Sequence, residues 1–126
     1  MAASALEQAT LDTLDEAIEI EMITPRRDGS TSTRPIWVVV VGGEAYVRSY
    51  RGESGAWYRR ARADGEAAIG VDGRTIEVGV EPIDDAEVNR QVSEAYRDKY
   101  GKRSPRPTET MVSSEISATT LRLTRR

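Results

Sequence analysis

Two short turn sequences, each lying between strand-like segments, constrain the fold more than any other feature of this chain. Gly42-Gly43 separates the apolar run IWVVVV from EAYVRSY, and Asp72-Gly73 divides AAIGVDGRTIEVGVEPI into two halves. Gly-Gly and Asp-Gly are favoured in two-residue hairpin turns because both central residues need a positive φ. The sequence therefore predicts antiparallel strands linked by tight hairpins.

Alternating apolar and polar residues add two further strands. Ile18, Ile20 and Met22 alternate with glutamates, and Leu121 and Leu123 face inward in a last strand placed within 116–124. Six strands are predicted in all. Two polar segments, PRRDGSTSTRP and KRSPRPTET, are predicted to be loops because they are rich in turn-forming residues.

Three helices are predicted, over residues 5–15, 55–64 and 85–100. Ser4 with Glu7, and Asp84 with Glu87, have the spacing of a capping box at the start of the first and third helices. In the third helix, apolar and aromatic residues recur every four positions on one face, which predicts that this face packs against the core. Its members are Val88, Val92, Tyr96 and Tyr100.

The predicted fold class is mainly β with helices (α+β). Six strands in an open sheet would leave edges exposed, so closure into a small barrel, with dimerisation covering one side, is the economical arrangement. A four-stranded sheet with packed helices is the alternative. The chain of 126 residues is expected to form one domain. Its parts are an N-terminal helix in 1–16, barrel strands in 17–82, a helix in 84–101 and the last strand in 116–124.

The composition excludes several kinds of chemistry. The chain has no cysteine and no histidine, which removes disulfides, thiol catalysis, Cys/His zinc sites and imidazole-based triads, and no metal site is predicted. A net charge of -3 argues against a protein that coats nucleic acid. The acidic start and the lack of a long apolar run favour a cytoplasmic protein without a membrane partner.

The stretch RSYRGESGAWYRR, residues 48–60, combines four arginines with three aromatic residues. Arg48 and Arg51 lie near the end of a predicted strand, and Gly52 and Gly55 allow a ligand to approach the backbone. The following helix, with Ser54 as its expected N-cap, offers free N–H groups and a positive dipole end to a phosphate. Arginine adds bidentate bonds to phosphate.

The alternative interpretation of this stretch needs no ligand. Arg59, Arg60 and Arg62 are expected on a solvated helix face, with Trp57 and Ala61 as its buried stripe. A second basic cluster, with Arg26, Arg27 and Arg34 around a run of hydroxyl residues, lies in PRRDGSTSTRP. The two clusters form one anion site only if the fold brings them together.

The order RRDGSTSTRPIWVVVVGGEAYVRSYRG followed by WYRRARADGEAAIGVDGRTIEV resembles the split-barrel flavin- and deazaflavin-binding superfamily. This is the superfamily of pyridoxamine phosphate oxidase and the F420-dependent nitroreductases, and within it the sequence is most similar to proteins of the DUF2255 type. The likeness covers about residues 17–82. It implies a six-stranded antiparallel split β-barrel with about three helices, a homodimer, and FMN or F420 in a surface groove.

The resemblance also implies which residues contact the cofactor. The phosphate or tail end would be held by Arg26, Arg27, Ser32 and Arg34. The ring system would meet the backbone of Pro35, Ile36 and Trp37. The turn that closes over the phosphate would consist of Ser49, Tyr50, Arg51 and Gly52, with Trp57 beside it.

The sequence departs from the superfamily in two places. The loop between the third predicted strand and the helix is short, and AYRDKYGKRSPRPTET does not match the nitroreductase tail that carries substrate-facing tyrosines. Tyr96 and Tyr100 match that role by residue type alone, and their spacing favours core packing. No catalytic residue is assigned.

The resulting hypothesis is an F420- or FMN-dependent reductase or oxidase that transfers a hydride to a small organic substrate. A cofactor that carries the chemistry suits a chain without histidine or cysteine. The arginine content leans toward F420, whose oligoglutamate tail adds negative charge. The alternative is a non-redox protein that binds another small ligand, or a partner, on the same barrel.

Overall fold

One seven-stranded antiparallel sheet forms the centre of the molecule in the computed structural model, which describes residues 4–126. In chain order the strands are β1 Ile20–Pro25, β2 Thr31–Ile36, β3 Val39–Val41, β4 Glu44–Val47, β5 Glu66–Val71, β6 Arg74–Pro82 and β7 Leu121–Arg125. The order within the sheet is β2-β1-β5-β6-β7-β4-β3. The strands are antiparallel, as the hairpin turns predict, and the mixed α+β class is confirmed. The sheet curls into a half-barrel in which the end strands β2 and β3 do not pair in the described chain, so the predicted closure into a barrel is only partial.

Five α-helices accompany the sheet in the described part of the chain. They are α1 Gln8–Glu16, α2 Ala56–Asp64, α3 Ala86–Tyr100, α4 Pro105–Met111 and α5 Ser114–Ser117, and a short 3-10 turn, Gly52–Ser54, precedes α2. None of these helices has the length and apolar character that a bilayer span requires.

Both predicted hairpin turns are present. Gly42 and Gly43 have φ values of 57° and 78°, and Asp72 and Gly73 have 51° and 71°. These positive angles suit the two-residue turns that match the twist of antiparallel strands. The turns join β3 to β4 and β5 to β6 in direct register.

The prediction of six strands is wrong by one because part of the first polar loop is a strand. Residues 31–36 form β2, which pairs with β1 from Ile20↔Ile36 to Pro25↔Thr31. This strand lies at the end of the sheet, where one face remains in solvent and Pro35 is tolerated, so its sequence lacks the apolar content of a central strand. The predicted strand 36–41 is accordingly interrupted at Trp37 and Val38.

The second polar segment is also not simply a loop. Residues 105–111 form α4, with proline in its first turn. Proline is compatible with the first turn of a helix because the N–H groups there have no intrahelical partner. Residues 102–110 were predicted to be a loop because they are rich in proline and hydroxyl residues, but α4 begins within them.

The predicted helix boundaries need two corrections. The first helix begins at Gln8 without a side-chain cap, because Ala5 instead bridges to Thr124 beside the sheet, and residues 1–3 of the predicted segment lie outside the described part. Asp85, not Asp84, caps α3, since its carboxylate accepts a hydrogen bond from the amide of Val88 at 2.9 Å. The end of α2 at Gly65, with φ of 70°, is as expected.

Two apolar clusters stabilise the fold on opposite faces of the sheet. The larger cluster joins α1 and α2 to the strands and includes Leu121 and Leu123, both fully buried as predicted. The smaller cluster lies under α3, α4 and α5 and includes Val92, Tyr96 and Tyr100. The core-packing interpretation of the α3 face is therefore confirmed, and the two tyrosines are not exposed to a substrate.

Candidate functional site

A pocket of about 690 Å³ lies where the end of β2 meets the connection from β4 to α2. Its lining comes from two segments distant in sequence, residues 34–37 and residues between 48 and 57. Glu19, just before β1, and two residues of α4 complete it. The lining residues are Glu19, Arg34, Pro35, Ile36, Trp37, Arg48, Ser49, Tyr50, Arg51, Ser54, Gly55, Ala56, Trp57, Pro107 and Met111. Of the two basic clusters singled out in the sequence, Arg34 of the first and the 48–57 stretch thus meet at one cavity, whereas Arg26 and Arg27 lie outside its lining.

The chain between β4 and α2 is held in a tight turn. The amide of Ser49 donates to the hydroxyl of Thr119 at 2.9 Å, and the Ser49 hydroxyl donates to the carbonyl of Gly52 at 2.8 Å. Gly52 has a φ of 71°, which favours glycine. At Gly55 a Cβ atom would lie 2.4 Å from the Ser49 hydroxyl, so a side chain there would disrupt the turn.

The start of α2 opens into the pocket with its backbone donors available. Gly55 precedes the helix and provides no capping side chain, so among the described residues the first amides of α2 have neither an intrahelical nor a side-chain partner. Ser54 is not the N-cap that was predicted, because it lies in the 3-10 turn and its hydroxyl donates to the carbonyl of Arg51. An uncapped helix start of this kind favours an anion.

Two exposed arginines border the same pocket. Arg34 comes from β2 and Arg51 from the turn, and within residues 4–126 neither forms a salt bridge. Glu19 is the one carboxylate among the lining residues. Positive charge therefore exceeds negative charge at the pocket.

Both tryptophans of the chain line the pocket. Trp37 is half-buried and stacks on Tyr100 with a centroid distance of 4.0 Å and an interplanar angle of 1°. The Tyr100 hydroxyl donates to the carbonyl of Ile18 at 2.8 Å, and burial raises the pKa of this phenol to about 12. Trp57 is buried in the first turn of α2. The aromatic part of the lining is therefore fixed by packing.

Arg48 is an arginine in the interior of the protein. Its side chain is 1% exposed, and its guanidinium donates to oxygens of four other residues at 2.8 to 3.0 Å. The sequence predicts Arg48 near a strand end beside a candidate ligand site, and Arg48 is not one of the residues expected to contact the cofactor. It does line the pocket, but as a buried group.

The structure brings together most of the residues predicted to contact a cofactor. Those lining the pocket are Arg34, Pro35, Ile36, Trp37, Ser49, Tyr50, Arg51 and Trp57. Four others are not in the lining: Arg26, Arg27, Ser32 and Gly52. Binding by any of these residues stays a prediction.

The four residues outside the lining have other local environments. Arg26 donates to Ser30 and Thr31 within the β1–β2 turn, and Arg27 is exposed in the same turn. Ser32 is buried, with no hydrogen-bond partner for its hydroxyl in the described chain. Gly52 is buried near Glu115 and Ile116 of α5.

Sequence reasoning did not identify the contribution of α4 to the pocket. Pro107 and Met111 line it, although their segment was predicted to be a loop. Paired prolines in the first turn were the available signal of a helix start.

The expected solvent-facing arginines of α2 are confirmed for Arg59 and Arg62, which are exposed. Arg60 is half-buried and donates to the Thr24 hydroxyl at 3.0 Å.

Solved structures with the same fold define the class of protein. A conserved hypothetical protein from Mycobacterium tuberculosis has a TM-score of 0.67 and 16% identity, over 100% of this chain and 85% of its own. A heme storage protein from Vibrio cholerae has a TM-score of 0.63 and 10% identity, over 97% and 91%. An F420-H2-dependent reductase has a TM-score of 0.58 and 10% identity, over 98% and 100%. The fold is the split barrel.

The family follows from the sequence. The DUF2255 family, described as an uncharacterized protein conserved in bacteria, matches residues 10–123, and the chain belongs to it. Among curated proteins none matches this sequence. The predicted superfamily and family are both confirmed. The match extends beyond the predicted 17–82 because it also includes most of α1 and the C-terminal helices.

Proposed function

We propose that this protein binds a flavin-type cofactor, FMN or F420, in the pocket and uses it to transfer a hydride to a small organic substrate. One observation carries the proposal. Two exposed arginines and the uncapped start of α2 converge on a pocket that two tryptophans also line. Such a site combines donors for a phosphate with apolar surface for a planar ring.

The pocket suits such a ligand in size and chemistry. Its volume of about 690 Å³ lies within the roughly 300–1,000 Å³ usual for cofactor sites. Guanidinium groups and helix N-terminal amides are donors matched to phosphate oxygens. The tryptophans supply the flat apolar surface that a flavin ring requires.

Each part of the site has a role in this proposal. Arg34, Arg51 and the first amides of α2 hold the phosphate. Trp37, fixed by its stack on Tyr100, and Trp57 orient the ring and exclude water from it. When bound, the reduced cofactor supplies the hydride, so the chain itself needs no histidine or cysteine. Tyr50, 54% exposed, borders the opening through which a substrate enters.

The likeness to an F420-H2-dependent reductase supports this proposal at the level of fold. The heme storage protein has the same fold but is named for a different ligand, heme, so the fold by itself does not determine which ligand binds. The arginines and the helix start, which belong to this chain, are what favour an anionic planar cofactor.

A titration tests the proposal directly. Purified protein is titrated with FMN and, separately, with F420, following the visible spectrum of the ligand and the tryptophan fluorescence. Because both tryptophans of the chain line the pocket, binding should quench their emission. We expect a Kd in the micromolar range or below for one of the two. Flat titrations of folded protein with both ligands would contradict the proposal and favour a non-redox ligand.

A further inference from the structure

The buried guanidinium of Arg48 has no counter-charge in the described chain. Nε donates to the Thr120 hydroxyl at 2.8 Å, and Nη1 donates to the Ser93 hydroxyl and the Met111 carbonyl, both at 2.9 Å. Nη2 donates to the carbonyl of Asn89 at 3.0 Å. All four acceptors are neutral, and within residues 4–126 no salt bridge involves Arg48.

Burial does not remove this charge at neutral pH. It lowers the pKa of Arg48 from 12.5 to about 10, so the guanidinium stays protonated. The ring of Tyr96 lies 5.5 Å away, but burial raises the pKa of its phenol and keeps it neutral. A buried cation is normally paired with an anion, because desolvation of an unpaired charge is costly. Residues 4–126 provide hydrogen bonds to Arg48 but no such anion.

The location of this charge connects it to the pocket. Arg48 lines the pocket, and so does Met111, whose carbonyl oxygen Nη1 contacts. Arg34 and Arg51, by contrast, are exposed and surrounded by solvent. Because water screens an exposed charge more than a buried one, the charge of Arg48 acts on the pocket with less screening than the charges of these exposed neighbours.

We propose that Arg48 is a specificity-determining residue, which selects ligands that carry negative charge at the buried wall of the pocket. This inference rests on the proposed function. For a flavin it means that the anionic reduced ring is bound more tightly, relative to the neutral oxidised ring, than it would be without Arg48. Positive charge near the ring is a recognised way for a protein to tune a flavin.

A purely structural role is the competing explanation. Arg48 links β4 to α3 through Asn89 and Ser93, to α4 through Met111, and to the residue before β7 through Thr120. Losing these bonds would loosen the pocket for every ligand alike. Selection by charge instead requires that one redox form of the same ligand be affected more than the other.

The test compares oxidised FMN with FMN reduced by dithionite under nitrogen. Dissociation constants are measured for the wild type, for Arg48→Met, which removes the charge but keeps an unbranched chain, and for Arg48→Lys, which keeps the charge. Arg51→Met, at the exposed phosphate end, is the matched control. Circular dichroism and urea unfolding establish that each variant is folded.

We expect Arg48→Met to weaken binding of reduced FMN at least tenfold more than binding of oxidised FMN. This difference lowers the two-electron midpoint potential of bound FMN by about 30 mV or more. Arg48→Lys should retain most of the preference. Arg51→Met should weaken both forms equally, because the phosphate is the same in each. Equal losses for the two forms in Arg48→Met, or no loss, would overturn the proposal.

A second pair of probes keeps the inference separate from the cofactor proposal. If the wild type binds neither FMN nor F420, the proposed function fails. Whenever FMN does not bind, 4-nitrobenzoate and 4-nitrobenzamide test Arg48, because they share a shape and differ in charge. We expect the wild type to prefer the anion severalfold and Arg48→Met to lose that preference. A wild type without the preference, or a variant that keeps it, overturns the role of Arg48.

Discussion

Three of the four arginines in the stretch 48–60 lie in three different environments. Arg48 is buried and hydrogen-bonded, Arg51 is exposed at the pocket, and Arg59 is exposed away from it. The physical consequence of each charge follows from its solvation, since water screens the two exposed groups and not the buried one. Their contributions to ligand binding should therefore differ, and substitution can separate them.

Arg51→Glu should weaken cofactor binding while leaving the fold intact. The change replaces a charge-assisted hydrogen bond to phosphate by repulsion, and a bond of this kind contributes about 2 kcal/mol. We expect the Kd for FMN or F420 to rise by roughly thirtyfold. Isothermal titration calorimetry measures the change. Unchanged affinity in a folded variant would remove Arg51 from the site.

Arg59→Glu is the matched control for this experiment. Arg59 lies in α2, is exposed like Arg51 and undergoes the same change of charge, but it does not line the pocket. We expect a Kd close to that of the wild type at physiological salt. A loss as large as that of Arg51→Glu would indicate a general electrostatic effect instead of a local contact.

At the scale of elements, the connection from β4 to α2 determines the geometry of the site. The helix start near residue 55 was predicted from Ser54, which does not cap α2 in the structure. The hairpin of β3 and β4 could be predicted from Gly42-Gly43, because a tight turn has a local signal. The burial of Arg48 could not. Both faces of β4 are buried. One of them packs against α3, α4 and α5, and of these helices α4 and α5 were not predicted.

Gly55→Ala should damage this connection. The added Cβ would lie 2.4 Å from the Ser49 hydroxyl and 3.3 Å from the Gly52 carbonyl, so the Ser49 hydroxyl must leave its hydrogen bond to Gly52 or the turn must shift. Overpacking of this kind typically costs about 1–3 kcal/mol. We expect a lower free energy of unfolding in urea, together with weaker cofactor binding, because the start of α2 moves with the turn.

The double variant Ser49→Ala/Gly55→Ala separates the clash from other effects of the new methyl group. Removing the Ser49 hydroxyl eliminates the closest contact, at the expense of its hydrogen bond to Gly52. We expect the double variant to be more stable than Gly55→Ala alone. If the two are equally destabilised, the clash with Ser49 is not the cause.

At the scale of the whole molecule, strand pairings within short stretches could be predicted from the sequence. Which helices pack on the faces of the sheet could not. Alternation located β1 and β7 because one face of each is buried, whereas β2 has a polar, partly exposed sequence that only its pairing with β1 explains. The pocket required β2 and the β4–α2 connection to meet, which no spacing in the sequence shows. The homodimer expected from the resemblance stays a prediction, which analytical ultracentrifugation can test.

Lys99 connects distant parts of the molecule and predicts a pH dependence of stability. Nζ donates to the carbonyls of Leu14, at 3.0 Å, and Val38, at 2.8 Å, and so joins α3 to α1 and to the segment between β2 and β3. Burial lowers the pKa of this amine from 10.5 to about 8, against an opposing effect of Asp15. The neutral amine retains enough hydrogens for both bonds.

The sign of the effect follows from proton binding in the two states. Between pH 8 and about 10, unfolded chains keep the Lys99 proton and folded ones lose it, so the free energy of unfolding should rise with pH in this window. Urea unfolding at pH 7.5, 8.5 and 9.5 measures the slope. Lys99→Gln should flatten it, because glutamine does not titrate. A slope equal to that of the wild type in Lys99→Gln would show that another group is responsible.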